Sequence, residues 1–595
     1  MPGALLLVGC LVSAAPAGDT EATRLLKARD LELREDVVKV ADGVFVAVCY
    51  SPANISMIVG IDGLIIVDTG MAPAHARRVL AEFRKISDLP IKAIIYTHGH
   101  GDHTGGASVF VGDAHPDIWA RSNFGSEGKA FSSVGLTIQN ARGARQAGFR
   151  LPPEKRINNG VAPAMYPRQG GRVFTGESGR IAPTKTFSEA RKAIELAGVK
   201  MELVAAPGET KDQLYVWLPE KKVLLSGDNF YRSWPNAYAI RGTPYRDVRA
   251  WAEAVDMMLK EGPEVLVPGH TRPIIGKARA TQALTDYRDA IRFVFDKTIE
   301  GMNKGLTPDE LVSYVKLPER FADKDYLREY YGNVEWAVRA IFQGYLGWFD
   351  GNPTNLFRLT PRDEAQRVAR LAGGADVLLK RAREALAGGD AQWAAQLCDY
   401  LLVLNPQAAE PKRIKADALT ALAEKLLTAT GRNYYLTVAQ ELRAGADRAK
   451  AKATPAAGPT GNAKSREEAN KKAAMEFFQL LMGDINYQAA RKYAGQYIQH
   501  DPGIADGFDA LAKALQTNPR WKDRKPSKVD FKLVAADGDL VYLQTHREVV
   551  RPDGTKLRIA VIHTFRFDEE GKIAEHWTIV GKADPTKTVS KHPLF

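Results

Sequence analysis

The chain has 595 residues, which is too long for a single hydrophobic core, so its length predicts roughly two to four domains. Its proportions of 45% hydrophobic and 26% charged residues exclude a fibrous, collagen-like or wholly disordered protein. The formal net charge of +12 favours anionic partners, but no dense face of Lys and Arg accompanies it. We therefore expect a small anionic substrate and no nucleic acid.

The N-terminal segment is apolar from Leu5 to Ala15 and continues as Ala15-Pro16-Ala17, a pattern typical of a signal-peptide core and cleavage site. Residues 1–18 are therefore predicted to be a signal peptide, and the protein is expected to be periplasmic or secreted. The run ending at Cys10 also resembles a lipoprotein cleavage box, but the leader before it is very short and Leu11 is a poor following residue. No later segment is apolar over the length that a bilayer requires, so we expect no integral membrane segment.

Four regions follow along the chain. Residues 30–276 alternate short β-branched runs with helical segments, which predicts an α/β domain whose loops are carried by a sheet. Residues 277–445 lose the strand pattern and contain amphipathic helical segments, which predicts an all-α domain. Residues 446–465 are rich in Ala, Lys, Pro, Gly and Thr, the composition of a linker. Residues 466–585 combine helical segments with four strand-like runs, which predicts an α+β domain.

Four potential metal ligands follow directly on the apolar strand Ile91–Tyr96, namely His98, His100, Asp102 and His103. Glycines between and after them let the backbone turn tightly enough for several side chains to converge. The three cysteines are far apart and form no CxxC pair, so histidines and carboxylates are the expected ligands. This donor set suits zinc or a similar divalent ion, and the spacing predicts two metal ions.

The HxHxDH motif and the following Gly105-Gly106 resemble the metallo-β-lactamase superfamily. Further matches follow in order, namely Ile61-Asp62-Gly63, Val67-Asp68-Thr69-Gly70, Ser226-Gly227-Asp228 and Pro268-Gly269-His270. The resemblance covers residues 40–276 and implies an αββα sandwich, in which Asp68 supports a ligand, Asp228 bridges two metals and His270 completes the second site. The implied ligand set is His98, His100, Asp102, His103, Glu209, Asp228 and His270.

Glu209 stands in the segment Pro207-Gly208-Glu209-Thr210, where the superfamily usually has Pro-Gly-His-Thr. A Glu at this position resembles the alkyl sulfatase branch. The segments 345–353 and 432–437 resemble the helical dimerisation domain of that branch, which implies a homodimer. The resemblance therefore implies hydrolysis of alkyl sulfate esters, which are small anionic amphiphiles, to an alcohol and inorganic sulfate.

The charge of the implied centre predicts a separate anion-binding group. Two divalent ions carry four positive charges, and three carboxylates with a bridging hydroxide carry four negative charges, so the centre is formally neutral. Arg241 is the predicted sulfate-binding and charge-stabilising residue, because its planar fork matches a sulfate, and Asn236, Tyr238 and Tyr345 are expected as lesser donors. In this mechanism the hydroxide held by the metals, next to the bridging Asp228, attacks the ester.

The sequence departs from the branch where the resembled enzymes have histidines downstream of the bridging residue. Arg232 and Pro235 stand there in this chain, and neither suits the transfer of a proton to the leaving alcohol. Hydrolysis of another ester class, a lactone, carboxylic ester or phosphoester, is therefore an alternative. A non-catalytic small-molecule binder is a third interpretation, disfavoured because every expected ligand position is filled.

The segments 497–502 and 565–577 resemble the SnoaL-like cone-shaped fold, and the resemblance spans residues 467–582. That fold encloses an apolar pocket and often forms dimers. His500, Asp501, Glu575 and His576 are therefore either polar pocket residues or residues that secure the fold, and the second interpretation is favoured.

Overall fold

The computed structural model describes residues 18–113, 115–164, 179–453, 463–500, 504–517, 525–550 and 556–583. Except for Gly18, the predicted signal peptide lies outside these described residues, and so does part of the predicted linker. The chain divides into two compact units, Met1–Thr454 and Pro455–Phe595. The division falls inside the predicted linker.

The first sheet of the first unit follows the chain order from edge to edge. Its strands are β1 Asp36–Ala41, β2 Val44–Val48, β3 Ile55–Val59, β4 Leu64–Val67, β5 Ile91–Ile95, β6 Asp117–Arg121 and β7 Lys185–Phe187. The strands from β1 to β4 pair antiparallel, whereas β4, β5, β6 and β7 pair in parallel. Because parallel strands end at the same edge of a sheet, the residues that follow β4 and β5 lie side by side.

The second sheet has the order β13-β12-β11-β10-β9-β8. Its strands are β8 Arg191–Leu196, β9 Val199–Ala205, β10 Leu214–Leu218, β11 Val223–Leu225, β12 Val265–Val267 and β13 Ile274–Ile275. Only β11 and β12 pair in parallel, and β10 runs antiparallel to β11. The ends of β11 and β12 and the connection from β9 to β10 therefore lie at one edge.

The two sheets face each other across an aliphatic core that includes Val46 and Ile65 from the first sheet and Leu203 and Val216 from the second. The helices that precede residue 277 are α1 Glu21–Arg29, α2 Pro73–Arg84, α3 Gly101–Thr104, α4 Ala107–Val111, α5 Ser126–Ser132, α6 Ile138–Gln146 and α7 Val248–Lys260. Helices α2 and α4 cover the outer face of the first sheet, and α7 covers that of the second. The predicted αββα sandwich is confirmed.

From Lys277 to Ala453 every secondary-structure element is helical. The α-helices are α8 Lys277–Asn303, α9 Pro308–Tyr314, α10 Glu319–Ala322, α11 Val334–Leu346, α12 Pro361–Leu371, α13 Ala375–Ala387, α14 Ala391–Leu404, α15 Ala409–Glu424 and α16 Ala429–Ala453. Residues of α8 and α11 share one hydrophobic core with α7 and the second sheet. The predicted all-α region is confirmed, but α16 continues past Gly445 into the predicted linker. Within the described ranges no helix combines the length and apolarity needed to cross a membrane.

The second unit is an α+β domain, as predicted. It contains α17 Ala463–Phe478, α18 Tyr487–Ala490 and α19 Phe508–Thr517, with β14 Ala494–Gln499, β15 Phe531–Asp537, β16 Leu540–Val550, β17 Lys556–Phe567 and β18 Ile573–Ala583. The sheet order is β14-β18-β17-β16-β15. Strand β14 was not predicted, and it pairs in parallel with β18.

Buried aromatic side chains of the second unit, among them Phe477 and Phe565, pack around His576 and Tyr497. The Tyr497 hydroxyl lies 3.0 Å from His576 Nδ1, and burial lowers the pKa of His576 to about 3. The partly exposed His500 pairs with Glu575 at 2.9 Å. These contacts favour a fold-securing role for the three residues, whereas Asp501 lies outside the described residues.

Candidate metal centre

Two groups of metal-binding side chains lie at the edges where β4, β5, β11 and β12 end. The ligand atoms within each group lie within 4.8 Å of one another. The first group is His98, His100, Glu209 and Asp228, and the second is Asp102, His103 and His270. All seven predicted ligands are thus brought together, in the two sets that a di-metal centre requires.

The ligand loops approach one another closely because glycines form their backbones. Gly269 lies between β12 and His270, and a Cβ atom at this position would be 2.0 Å from Asp228 Oδ1. Gly227 has a φ of 52°, in the left-handed region, and a Cβ there would be 2.1 Å from Gln213 Nε2. Only glycine therefore permits the two neighbouring loops to place Asp228 beside His270.

Asp68, which follows β4, orients His103. Its Oδ2 lies 2.7 Å from His103 Nδ1, and its two oxygens accept from the Thr97 backbone N–H and hydroxyl, each at 2.8 Å. His270 Nδ1 is held in the same way, 2.6 Å from the Pro52 carbonyl. In both imidazoles the acceptor fixes the proton on Nδ1, so Nε2 faces the centre without a proton when the ring is neutral.

His98 and His100 use opposite ring nitrogens. His98 Nδ1 lies 3.1 Å from the Thr97 hydroxyl, which leaves Nε2 facing the centre. His100 Nδ1 lies 2.9 Å from that Nε2, so Nδ1 is the inward nitrogen of His100. The outward Nε2 of His100 lies 3.4 Å from Glu127 Oε1. Each ligand histidine therefore has an outer partner that sets its orientation.

Asp228 connects the two groups. Its Oδ1 lies 3.2 Å from His103 Nε2, and its Oδ2 lies 3.2 Å from His270 Nε2 and 3.8 Å from His98 Nε2. Both oxygens thus lie near imidazoles of the second group, and Oδ2 also lies near His98 of the first group, so the carboxylate stands between the two groups. This placement agrees with the role that the family resemblance implies.

The donor atoms of the centre fit divalent metal ions. Among the described residues, His103 Nε2, Glu209 Oε2 and Asp228 Oδ1 are buried and have no hydrogen-bond partner. An unpaired buried polar group costs about 1–3 kcal/mol, a cost that coordination to a cation removes. Burial alone lowers the pKa of His270, but Asp228 outweighs it and raises that pKa to about 9. Metal binding at this site therefore competes with protons.

Two charged residues that the sequence did not single out surround the first group. The Arg246 side chain is 2% exposed, and its Nη1 donates to Glu209 Oε1 and, at 2.8 Å, to the Asn236 carbonyl. Burial raises the pKa of Glu209 to about 7, although Arg246 acts in the opposite direction. Glu127 on α5 faces both His100 and Arg241. Neither residue belongs to a motif, so the sequence offered no signal beyond the nearness of Arg246 to Arg241.

A cavity of about 750 Å³ opens beside the centre, and Arg241 lines it together with His100, Asp102, Glu209, Asp228 and His270. Arg241 Nη2 lies 3.2 Å from Glu127 Oε1 and 3.3 Å from His100 Nε2. Because His100 Nε2 carries the proton directed at Glu127, Glu127 is the acceptor for Arg241. The predicted anion-binding guanidinium is thus next to the metal-binding groups. Tyr331 also lines the cavity and was not predicted.

The other predicted substrate residues lie in different surroundings. Asn236 is buried and its Nδ2 has no hydrogen-bond partner among the described residues, while Tyr238 is partly buried. Tyr345 is 49% exposed, with its ring 6.0 Å from that of Tyr245. Arg232 pairs with Glu32 at 2.8 Å. Substrate contacts of Asn236, Tyr238 and Tyr345 remain predictions.

Three family descriptions match the sequence: Metallo-beta-lactamase superfamily over residues 51–270, Alkyl sulfatase dimerisation over 307–445 and SnoaL-like domain over 476–576. A linear primary-alkylsulfatase of Pseudomonas sp. (strain ATCC 19151) is 39% identical over 65% of this chain and 73% of that protein. An (R)-specific secondary-alkylsulfatase of Pseudomonas sp. is 32% identical over 66% of this chain and 60% of that protein.

Among solved structures, the stereoselective inverting sec-alkylsulfatase Pisa1 from Pseudomonas sp. is similar, with a TM-score of 0.64 and 26% sequence identity. The similarity covers 93% of this chain and 77% of that chain. The chain therefore belongs to the alkylsulfatase family of hydrolases, within the metallo-beta-lactamase superfamily.

Proposed function

We propose that this chain hydrolyses sulfate esters of aliphatic alcohols, using two divalent metal ions, with zinc as the metal that best suits its imidazole and carboxylate donors. The observation that supports this most directly is the position of Arg241, a guanidinium that lines the same cavity as the metal-binding side chains. Two oxygens of a sulfate ester can accept two hydrogen bonds from the planar fork of an arginine guanidinium.

The reaction consumes one water: the sulfate ester and water give the alcohol and hydrogen sulfate. The divalent ions supply Lewis acidity and lower the pKa of a coordinated water. Arg241 donates to the sulfate oxygens and stabilises their charge as the ester bond breaks. Glu127 Oε1 accepts a hydrogen bond from Arg241 Nη2 at 3.2 Å, and this contact limits the directions in which the guanidinium points.

Tyr331 is our candidate for the group that contacts the leaving alcohol. It lines the cavity, and burial, followed by the nearby Glu209 carboxylate, raises the pKa of its phenol. A phenol that keeps its proton at neutral pH can donate a hydrogen bond to the alcohol oxygen as negative charge develops on it. Tyr331 would then stabilise the oxygen of the leaving alcohol, a role for which Arg232 and Pro235 are unsuited.

Release of inorganic sulfate from dodecyl sulfate and from secondary octyl sulfates, with and without a chelator, tests the proposal. We expect chelator-sensitive release, abolished by Asp228→Asn because this change removes a negative charge from the bridging position. Arg241→Gln should raise KM, whereas Arg249→Gln is the matched control, because Arg249 is an exposed arginine on α7. Absence of chelator-sensitive sulfate release from every ester would refute the proposal.

We further propose that the protein is a homodimer that is exported to the periplasm or beyond. The match to the alkyl sulfatase dimerisation family supports the first part, as do the exposed apolar side chains Leu346, Trp348 and Phe357 in that region. The export proposal rests on the composition of residues 1–18. Sedimentation analysis of the purified protein and N-terminal sequencing of the native protein test the two parts.

A further inference from the structure

Arg246 occupies a buried position between two carboxylates. Its Nη1 donates to Glu209 Oε1, and its Nη2 lies 4.0 Å from Glu127 Oε2, an ion pair without a hydrogen bond. The other oxygen of Glu127 accepts from Arg241 at 3.2 Å. A continuous series of charged groups therefore runs from Glu209 through Arg246 and Glu127 to Arg241.

The contact with Arg246 determines which oxygen of Glu209 remains for a metal. Arg246 Nη1 occupies Oε1, whereas Oε2 is buried and has no hydrogen-bond partner among the described residues. Arg246 itself is held by the Asn236 carbonyl at 2.8 Å, so the guanidinium is fixed by the backbone. Glu209 is therefore presented to the first group with one free oxygen.

Arg246 also compensates the charge of Glu209. The sequence-based count gave a formally neutral centre, because Glu209 replaces the usual neutral histidine. A glutamate with its own buried arginine has no net charge, so the pair replaces that histidine without adding charge. Glu127 carries a negative charge beside Arg246, so counting both residues leaves the formal charge unchanged, and Arg241 remains the group that attracts an anionic ester.

We propose that Arg246 is a positioning residue that presents Glu209 to the first metal-binding group and, through Glu127, holds Arg241 beside the cavity. The part that concerns Arg241 rests on the proposed sulfate ester hydrolysis, whereas the part that concerns Glu209 requires only metal binding. Replacing the Arg246 guanidinium should therefore weaken both metal binding and substrate binding.

The test compares the full-length protein with Arg246→Gln, Arg246→Lys and the surface control Arg249→Gln. Zinc affinity is measured by competition with a chromophoric chelator, and the cobalt-substituted protein reports the coordination by its absorbance spectrum. Arg246→Gln is expected to lower the affinity for one of two metal ions by about 10–100-fold. It should also raise KM by about tenfold or more, because a charge-assisted hydrogen bond to the substrate is weakened. The zinc affinity and the KM of Arg246→Lys should lie between those of Arg246→Gln and those of the parent protein. Arg249→Gln should have the same zinc affinity and KM as the parent protein.

A second pair of variants, Glu209→His and Glu209→His combined with Arg246→Gln, tests the proposal if Arg246→Gln alone does not fold. Glu209→His alone removes the carboxylate that Arg246 contacts most closely and leaves the buried guanidinium near two cations, whereas Glu209→His combined with Arg246→Gln restores the usual histidine without that charge. The double variant should bind zinc at least tenfold more tightly than Glu209→His. Equal zinc affinities of these two variants, or unchanged zinc affinity in Arg246→Gln, would overturn the proposal. Failure to turn over any sulfate ester would refute the proposed function and leave the zinc measurements to decide this one.

Discussion

Gly269→Ala perturbs the centre by a single methyl group. The added Cβ would lie 2.0 Å from Asp228 Oδ1 and 2.7 Å from the Gly227 carbonyl carbon, whereas ordinary contacts begin at 3.4 Å. The backbone atom cannot yield easily, so the Asp228 carboxylate has to move by more than about 1 Å. A displacement of that size at a reacting centre costs about 100-fold in rate, or about 2.7 kcal/mol of transition-state stabilisation.

Gly101→Ala is the matched control for this substitution. Gly101 also lies in a ligand loop and lines the cavity, but a Cβ there would meet no atom within 4 Å. The measurements are kcat/KM for sulfate release, metal content per chain and the thermal unfolding curve of both variants. We expect kcat/KM and bound metal to fall in Gly269→Ala alone. A Gly269→Ala protein with parental kcat/KM and full metal content would show that the two loops do not constrain Asp228 as described.

Three further predictions concern the groups around the centre and the second unit. Asp68→Ala removes the acceptor of His103 Nδ1 and should lower metal affinity about 10–100-fold, measured by zinc competition; unchanged affinity would contradict the orienting role. Tyr331→Phe should lower kcat by about tenfold or more for alkyl esters and less for aryl esters, whose leaving groups need little stabilisation; an equal effect on both would exclude contact with the leaving oxygen. His576 has a pKa of about 3 in the folded state, below its ordinary 6.5, so the unfolded chain takes up the proton first on acidification. Stability of the second unit is therefore complete above about pH 6.5 and falls toward pH 3 by up to about 1.4 kcal/mol per pH unit, measured by calorimetry, whereas His576→Phe should remove this slope.

Four of the seven candidate metal ligands could be predicted from the residues alone because their signals are local, and the other three were implied by the family resemblance. His98, His100, Asp102 and His103 lie within six consecutive residues, and the strand before them is apolar, so their convergence needs only one tight loop. The partition into two groups also agrees with the predicted di-metal centre. Side chains so close in the sequence converge when a few residues adopt one backbone turn, and the glycines in the segment indicate that turn.

The outer partners of the centre could not be predicted in the same way. Glu127 and Arg246 are 119 residues apart, and their side chains approach each other only because α5 and the segment before α7 meet at one edge of the sandwich. An isolated charged residue in a sequence is most often solvated, so neither residue differed from a surface charge. The charge count made from the sequence therefore left out one positive and one negative charge, which cancel.

Strand β14 could not be predicted from the sequence either, because its formation depends on residues that are distant in the chain. Its residues Ala494–Gln499 contain two glutamines and a glycine, so the segment has no clear apolar alternation. It becomes a strand because its backbone pairs in parallel with β18, far away in the chain. Pairing partners outside a segment can override its local propensity.

The sequence by itself predicted the domain classes, four candidate metal ligands and an arginine suited to an anionic ester, and the family resemblance implied the three other ligands. Each of these predictions depends on local spacing, periodicity or a motif. Only the tertiary structure decided which nitrogen of each histidine faces the centre, which oxygen of Glu209 is free and which carboxylate holds Arg241. These features depend on contacts between residues that are distant in the chain. Charge pairing across such distances is set by the packing of the sheets and helices, and the order of residues alone does not record it.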